Sequence, residues 1–123
     1  MTQLRISLGK KGESLVAEYL KQQGFTLLAQ NYSQACGEID IIAQKSSVIA
    51  FIEVKLRTNH YYTIADLIPA SKQKKIIKTA QYFIAQHFSY TDYVYRFDVA
   101  FLEPLGDDYT ISYIPNAFTK PSY

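Results

Sequence analysis

The run Gly37-Glu38-Ile39-Asp40-Ile41-Ile42-Ala43, followed by Lys45-Ser46-Ser47 and then Val48-Ile49-Ala50-Phe51-Ile52-Glu53-Val54-Lys55-Leu56, reads as two strands joined by a polar turn. Side chains alternate along a strand, so Glu38 and Asp40 are expected on one face, with Ile39 and Ile41 on the other. On the second strand Glu53, Lys55 and Arg57 share a face, opposite Ile52, Val54 and Leu56. A two-residue turn at Ser46-Ser47 puts Asp40 directly across from Glu53, with Cβ atoms roughly 5 Å apart. Like charges placed so destabilise a sheet. A divalent cation between them reverses that cost, and hard carboxylate oxygens suit Mg²⁺ or Mn²⁺. Lys55, two residues on, then reaches a phosphate oxygen or an attacking water. The plainer alternative is the solvated face of an amphipathic hairpin. An acid on one strand, then Glu-x-Lys at the centre of a strongly apolar neighbour, favours the functional reading.

Outward from this hairpin, Ser7 to Gln23 reads as a helix, with Leu8, Leu15, Val16, Tyr19 and Leu20 at helical spacing and Gly24 as its stop. Phe25 to Tyr32 reads as a strand, turned at Cys36-Gly37. Residues 57–70 read as loop, closed by Pro69. Ser71 is the expected N-cap of a second helix through about Phe88, burying Ile76, Ile77, Ala80, Phe83, Ile84 and Phe88. Tyr93 to Leu102 and Tyr109 to Ile114 follow as strands, joined through Pro104 and the Gly106-Asp107-Asp108 turn. The order α-β-β-β-α-β-β predicts an α/β fold with a mixed central sheet flanked by helices.

A chain of 123 residues without a linker or repeat predicts a single domain over 1–123. Hydrophobic residues at 48% and charged residues at 20% are ordinary globular usage, which excludes a disordered tail, a collagen-like repeat or a coiled coil. The net charge of +2 is too small for coating nucleic acid by charge alone, but the charge is unevenly spread. Residues 54–80 carry six bases (Lys55, Arg57, Lys72, Lys74, Lys75, Lys78) against Asp66, and residues 92–108 carry five acids against Arg96. One cysteine, Cys36, excludes a disulfide framework or a cysteine-rich zinc site. The absence of a signal-like or membrane-spanning apolar run predicts a cytoplasmic protein with no membrane partner.

Gly12-Glu13, Gly37-Glu38-Ile39-Asp40, Phe51-Ile52-Glu53-Val54-Lys55 with Arg57, Arg96-Phe97-Asp98 and Asn116-Ala117-Phe118 resemble the YraN family of small bacterial proteins over nearly the whole chain. That family is similar to the PD-(D/E)XK nucleases, especially the Holliday-junction resolvases, with Ile39 here in place of the superfamily's proline. The resemblance implies a restriction-endonuclease-like fold and a Mg²⁺- or Mn²⁺-dependent endonuclease acting on nucleic acid, with branched DNA as a candidate substrate. It implies Asp40 and Glu53 as metal ligands, Lys55 as the catalytic lysine and Glu13 as a helix-borne acid of the same metal site. It also implies a homodimer, as resolvase-like folds often cut as dimers.

Each remaining residue carries a competing structural explanation. Glu13, in the N-terminal half of its expected helix, has the helix dipole as its structural explanation. Glu38 suits the rim of the acidic site, and Asp98 suits an ion pair with Arg96. Lys72, Lys74, Lys75 and Lys78 crowd a helix start where positive charge opposes the dipole, and a phosphate backbone relieves that repulsion. Tyr61 and Tyr62 could stack on unpaired bases or pack at a rim. Gly9-Lys10-Lys11-Gly12 resembles the clamp of a KH domain, but too few residues precede it for that fold. His60 and His87 lack ligand spacing. Three functions remain open from the residues: a metal-dependent nuclease, a catalytically inactive nucleic-acid-binding protein of the same fold, and a tyrosine-rich interaction module.

Overall fold

Thr2 to Ile6 contains no glycine or proline to block a helix, and Leu, Arg and Gln are good helix formers. In the computed structural model, which describes the backbone over residues 2–87 and 92–120 and side chains from Gly9 on within those ranges, the first helix, α1, accordingly runs Thr2–Gln22. It begins well before the expected Ser7. The chain continues through β1 (Thr26–Gln34), β2 (Gly37–Lys45), β3 (Val48–Leu56), α2 (Ile64–Leu67), α3 (Ala70–Gln86), β4 (Val94–Leu105) and β5 (Asp108–Phe118). The order α-β-β-β-α-β-β is therefore present, with α2 as one extra turn. Thr63 and Asp66 form a capping box around α2, which gives a helical turn to a segment expected as loop.

The strands lie in sequence order, β1-β2-β3-β4-β5. Only β3 and β4 are parallel; the other neighbours are antiparallel. Parallel neighbours need a crossover, and α3 supplies it. β3 is covered on both faces, which explains its nearly unbroken apolar run. On one face Ile42, Phe51, Val99 and Phe101 pack under Ile76, Ile77, Ala80 and Phe83 of α3. On the other, Val16, Ala17 and Leu20 of α1 pack on Ile41, Ala43, Ala50, Ile52, Ala100 and Leu102. The three sheet alanines let α1 sit close, as does Gly12, which leaves no room for a side chain beside Leu102.

Two local expectations are corrected. Ser71 is not the cap of α3: the helix starts at Ala70, capped by Pro69 without a side-chain bond. The Pro69 carbonyl instead accepts from the amides of Lys72 and Gln73, and the extended Pro69 (ψ 160°) ends the preceding chain. Lys72 thus falls in the first helical turn. Phe88, expected as the end of the buried face, and the side chain of Leu8 lie outside the described residues.

Asp98 on β4 is fully buried and fully partnered. Its carboxylate accepts from Arg96 through Nε (2.9 Å) and Nη2 (2.9 Å), from the Asn116 amide (2.8 Å) and from the Tyr113 hydroxyl. Burial, and then the bond to Asp98, push the Tyr113 phenol above its usual range. The expected ion pair with Arg96 is present, within a network that pins β5 to β4 where the register shifts between Phe97 and Val99. Asp98→Ala removes the buried acceptor of the part-buried Arg96 and Tyr113 donors and is expected to destabilise the fold by about 3 kcal/mol, read as a loss of Tm. A loss below about 1 kcal/mol, the size typical of an exposed pair, would show that the network is not needed.

Candidate active site

The β2–β3 pairing follows the expected register, Ile42 facing Phe51 and Ile41 facing Ile52. The ladder then stops, one pair short of Asp40 and Glu53. On the other side of β2, Asn31 lies opposite Asp40, between the pairs Gln30–Ile41 and Tyr32–Ile39, and adopts a left-handed φ of 53°. Asn tolerates that conformation better than most residues. The strict alternation of β2 fails here: Ile39 packs in the cluster under α3, and Ile41 in the cluster under α1. This corrects the expectation that the two isoleucines share a face. Where the strands part, the Asp40 carboxylate replaces the lost ladder bond, accepting the Val54 amide through Oδ2 at 2.8 Å.

Glu53 is buried, with only 6% of its surface exposed. A buried carboxylate requires a counter-charge. Lys72 supplies it, with Nζ 3.0 Å from Glu53 Oε1. Glu13 enters from the middle of α1. The dipole effect fades beyond the first turn. With α1 starting at Thr2, the dipole no longer accounts for Glu13. Burial and the charge of Glu53, and to a smaller extent Glu13, raise the Asp40 pKa from 3.8 to about 7, against the lowering effects of the Val54 amide and Lys72.

Asp40, Glu53, Glu13, Lys55 and Lys72 all line one cavity of about 420 Å³, with Tyr109 and Gly9 on its rim. Gly9 has open space where a side chain would stand, so no packing demand explains a glycine in mid-helix there. A second cavity, about 350 Å³, lies toward α3 and shares Asp40, Glu53 and Lys72 with the first; Glu38, Ser71 and Lys75 border it.

The remaining basic candidates stand apart. Arg57 pairs with Glu103 (3.3 Å) and stacks over the Phe101 ring (4.1 Å), fastening the following loop to β4. His60 joins the same carboxylate at 2.8 Å. Lys74 and Lys78 are exposed along α3, as is Lys75, and Tyr61 is 90% exposed. Lys55 has no ion-pair partner among the described residues. Sequence reasoning missed the Lys72–Glu53 pair, Tyr109 and Ser71. Nothing in their spacing marks them, since each meets the site through tertiary contact.

As a cation site the arrangement is a carboxylate pair. Among the described residues no three Asp, Glu, His or Cys side chains form a ligand cluster, so Glu13 acts on Asp40 only through its charge. The donor set still fits a hard cation, because Mg²⁺ is commonly held by one or two carboxylates and completes its shell with water and substrate phosphate.

The model of Uncharacterised protein family UPF0102 matches residues 12–102, a range containing every residue of this cavity except Gly9 and Tyr109. A UPF0102 protein of Vibrio parahaemolyticus is 40% identical over 114 residues, spanning 92% of this chain and 93% of its own. A UPF0102 protein of Alkaliphilus metalliredigens is 40% identical over 113 residues, spanning 91% and 97%, and one of Clostridium botulinum is 40% identical over 114 residues, spanning 90% and 93%. The resemblance drawn from the Gly37–Asp40 and Phe51–Lys55 motifs therefore holds across the chain, and the protein belongs to the UPF0102, or YraN, family.

Proposed function

We propose that this protein is a divalent-cation-dependent endonuclease that hydrolyses phosphodiester bonds in DNA, acting in the cytoplasm as a homodimer. The observation that carries this reading is the gathering of Asp40, Glu53 and Lys55 at one cavity, at the point where β2 and β3 separate. Asp40 and Glu53 would hold Mg²⁺ or Mn²⁺, which when bound polarises the scissile phosphate and lowers the pKa of a water. Lys55 lies beside the carboxylates with its ammonium unpaired, free to orient that water and to stabilise charge developing on the phosphate. Glu13 adds negative charge that favours a cation in the cavity. Asp40, Glu53 and Lys55, fixed on β2 and β3, need little rearrangement to meet a substrate. The test is a panel of labelled duplex, branched and single-stranded DNA and RNA, incubated with Mn²⁺ or with EDTA. Strand breaks in Mn²⁺ alone support the proposal; no breaks in any substrate refute it.

A second reading, a nucleic-acid-binding protein of the same fold that does not cut, draws support from the Lys72–Glu53 pair, which already neutralises one of the two acids. Both readings place the phosphate backbone along the exposed lysines of α3. Replacing Lys74, Lys75 and Lys78 by Ala is expected to weaken binding and to flatten its salt dependence, by roughly 0.9 in the slope of log K against log salt for each lost duplex contact. An unchanged slope would show that α3 faces away from nucleic acid.

A further inference from the structure

Glu53 is nearly sealed from solvent, whereas the Lys72 side chain that neutralises it is 43% exposed. Lys72 therefore reaches into the site from outside, and its ammonium sits on a carboxylate oxygen that a metal ion would need. Its position is also unfavourable on helix grounds, since a cation in the first turn of α3 opposes the dipole. Lys55, two residues along β3 from Glu53, leaves the carboxylate to Lys72 and stays unpaired.

Building on the cation-site reading above, we infer that Lys72 is an internal counter-cation that holds the place of the metal on Glu53 and is displaced when a divalent cation binds. Metal loading is then an exchange of one cation for another, so the buried carboxylate is neutralised in both states. Lys72 lines both cavities, so once displaced its ammonium is placed to meet an anionic oxygen of a phosphodiester entering either, which offsets its conflict with the helix dipole. Lys72 is thus a positioning residue that couples metal loading to substrate contact. Because Lys72 and the metal compete for the same carboxylate, removing Lys72 strengthens metal binding by the free energy otherwise needed to displace it.

The test measures binding rather than cleavage. Calorimetric titration with Mn²⁺ is expected to give an affinity about tenfold or more higher for Lys72→Met than for the wild type, with Lys21→Met, exposed in the last turn of α1 and away from both cavities, unchanged. Equal or weaker binding by Lys72→Met overturns the inference. Should Lys72→Met fail to fold, the wild type carries the test by NMR of its ¹⁵N-labelled lysine ammonium groups, with Lys72→Arg identifying the signal. Mg²⁺ is expected to move the Lys72 signal to that of a solvated lysine; saturation with Mg²⁺ without movement overturns the inference. If neither ion binds the wild type or Lys72→Met, the cation reading itself fails and this inference falls with it. If the ions bind and Lys72 is indifferent, only the inference fails.

Discussion

Asp40→Asn is expected to be more stable than the wild type above neutral pH and to lose that advantage in acid. The folded protein holds the Asp40 proton more tightly than the unfolded chain, with a pKa raised from 3.8 to about 7. Protonation therefore favours folding. That contribution is fully present below the unfolded value and is lost as pH rises through the folded one. Each tenfold change in proton affinity is worth about 1.4 kcal/mol, so the ionised carboxylate costs up to about 4 kcal/mol above neutrality. Asn keeps an oxygen for the Val54 amide and carries no charge toward Glu53 or Glu13. Denaturant unfolding at about pH 8 and about pH 4 should show a gain of a few kcal/mol at the first and little at the second. Mn²⁺ should stabilise the wild type, by about 2.7 kcal/mol at a hundred times its dissociation constant, and leave Asp40→Asn unmoved. A variant less stable than the wild type at both pH values would make Asp40 a structural acid.

Lys55→Met is expected to lower cleavage by about a hundred- to a thousandfold, the usual cost of losing one donor aimed at developing charge. Its affinity for Mn²⁺ should stay close to that of the wild type, because Lys55 has no bond to either carboxylate. Single-turnover rates and calorimetry on the same preparation separate the two effects. Cleavage at the wild-type rate would remove Lys55 from the chemistry.

The hairpin was legible because its signals are local. Period-two alternation and a two-residue turn set the β2–β3 register, and with it the approach of Asp40 to Glu53. Arg96 and Asp98, two apart on one strand, were legible as a pair for the same reason. What escaped involves partners distant in the chain or bonds to backbone. The Asp40 bond to the Val54 amide depends on where the ladder ends, and that end coincides with the left-handed Asn31 opposite. Alternation alone put Ile39 and Ile41 on one face, since no hydrophobic pattern encodes such a break. Lys72 reads from the sequence as one of four lysines for a phosphate backbone, and its pairing with Glu53 is invisible there because that partner lies on β3, behind a crossover. Tyr113 and Asn116 meet Asp98 across two strands, a contact set by a register shift that spacing does not reveal. Glu13 falls in the second turn even when counted from Ser7, and deeper still when counted from Thr2, so only its place at the cavity, a tertiary fact, separates it from an ordinary helix acid.

Cleavage of labelled DNA by the wild type and by Glu53→Gln, each in Mn²⁺ and in EDTA, bears most directly on the role of the Asp40–Glu53 pair. Glu53→Gln keeps the size of the side chain and an oxygen for Lys72, so circular dichroism should show the fold intact. The expected result is strand scission by the wild type in Mn²⁺ alone, with the variant inactive in both conditions. Equal scission by the two proteins, or scission by the wild type in EDTA, would contradict a cation-dependent site at these carboxylates.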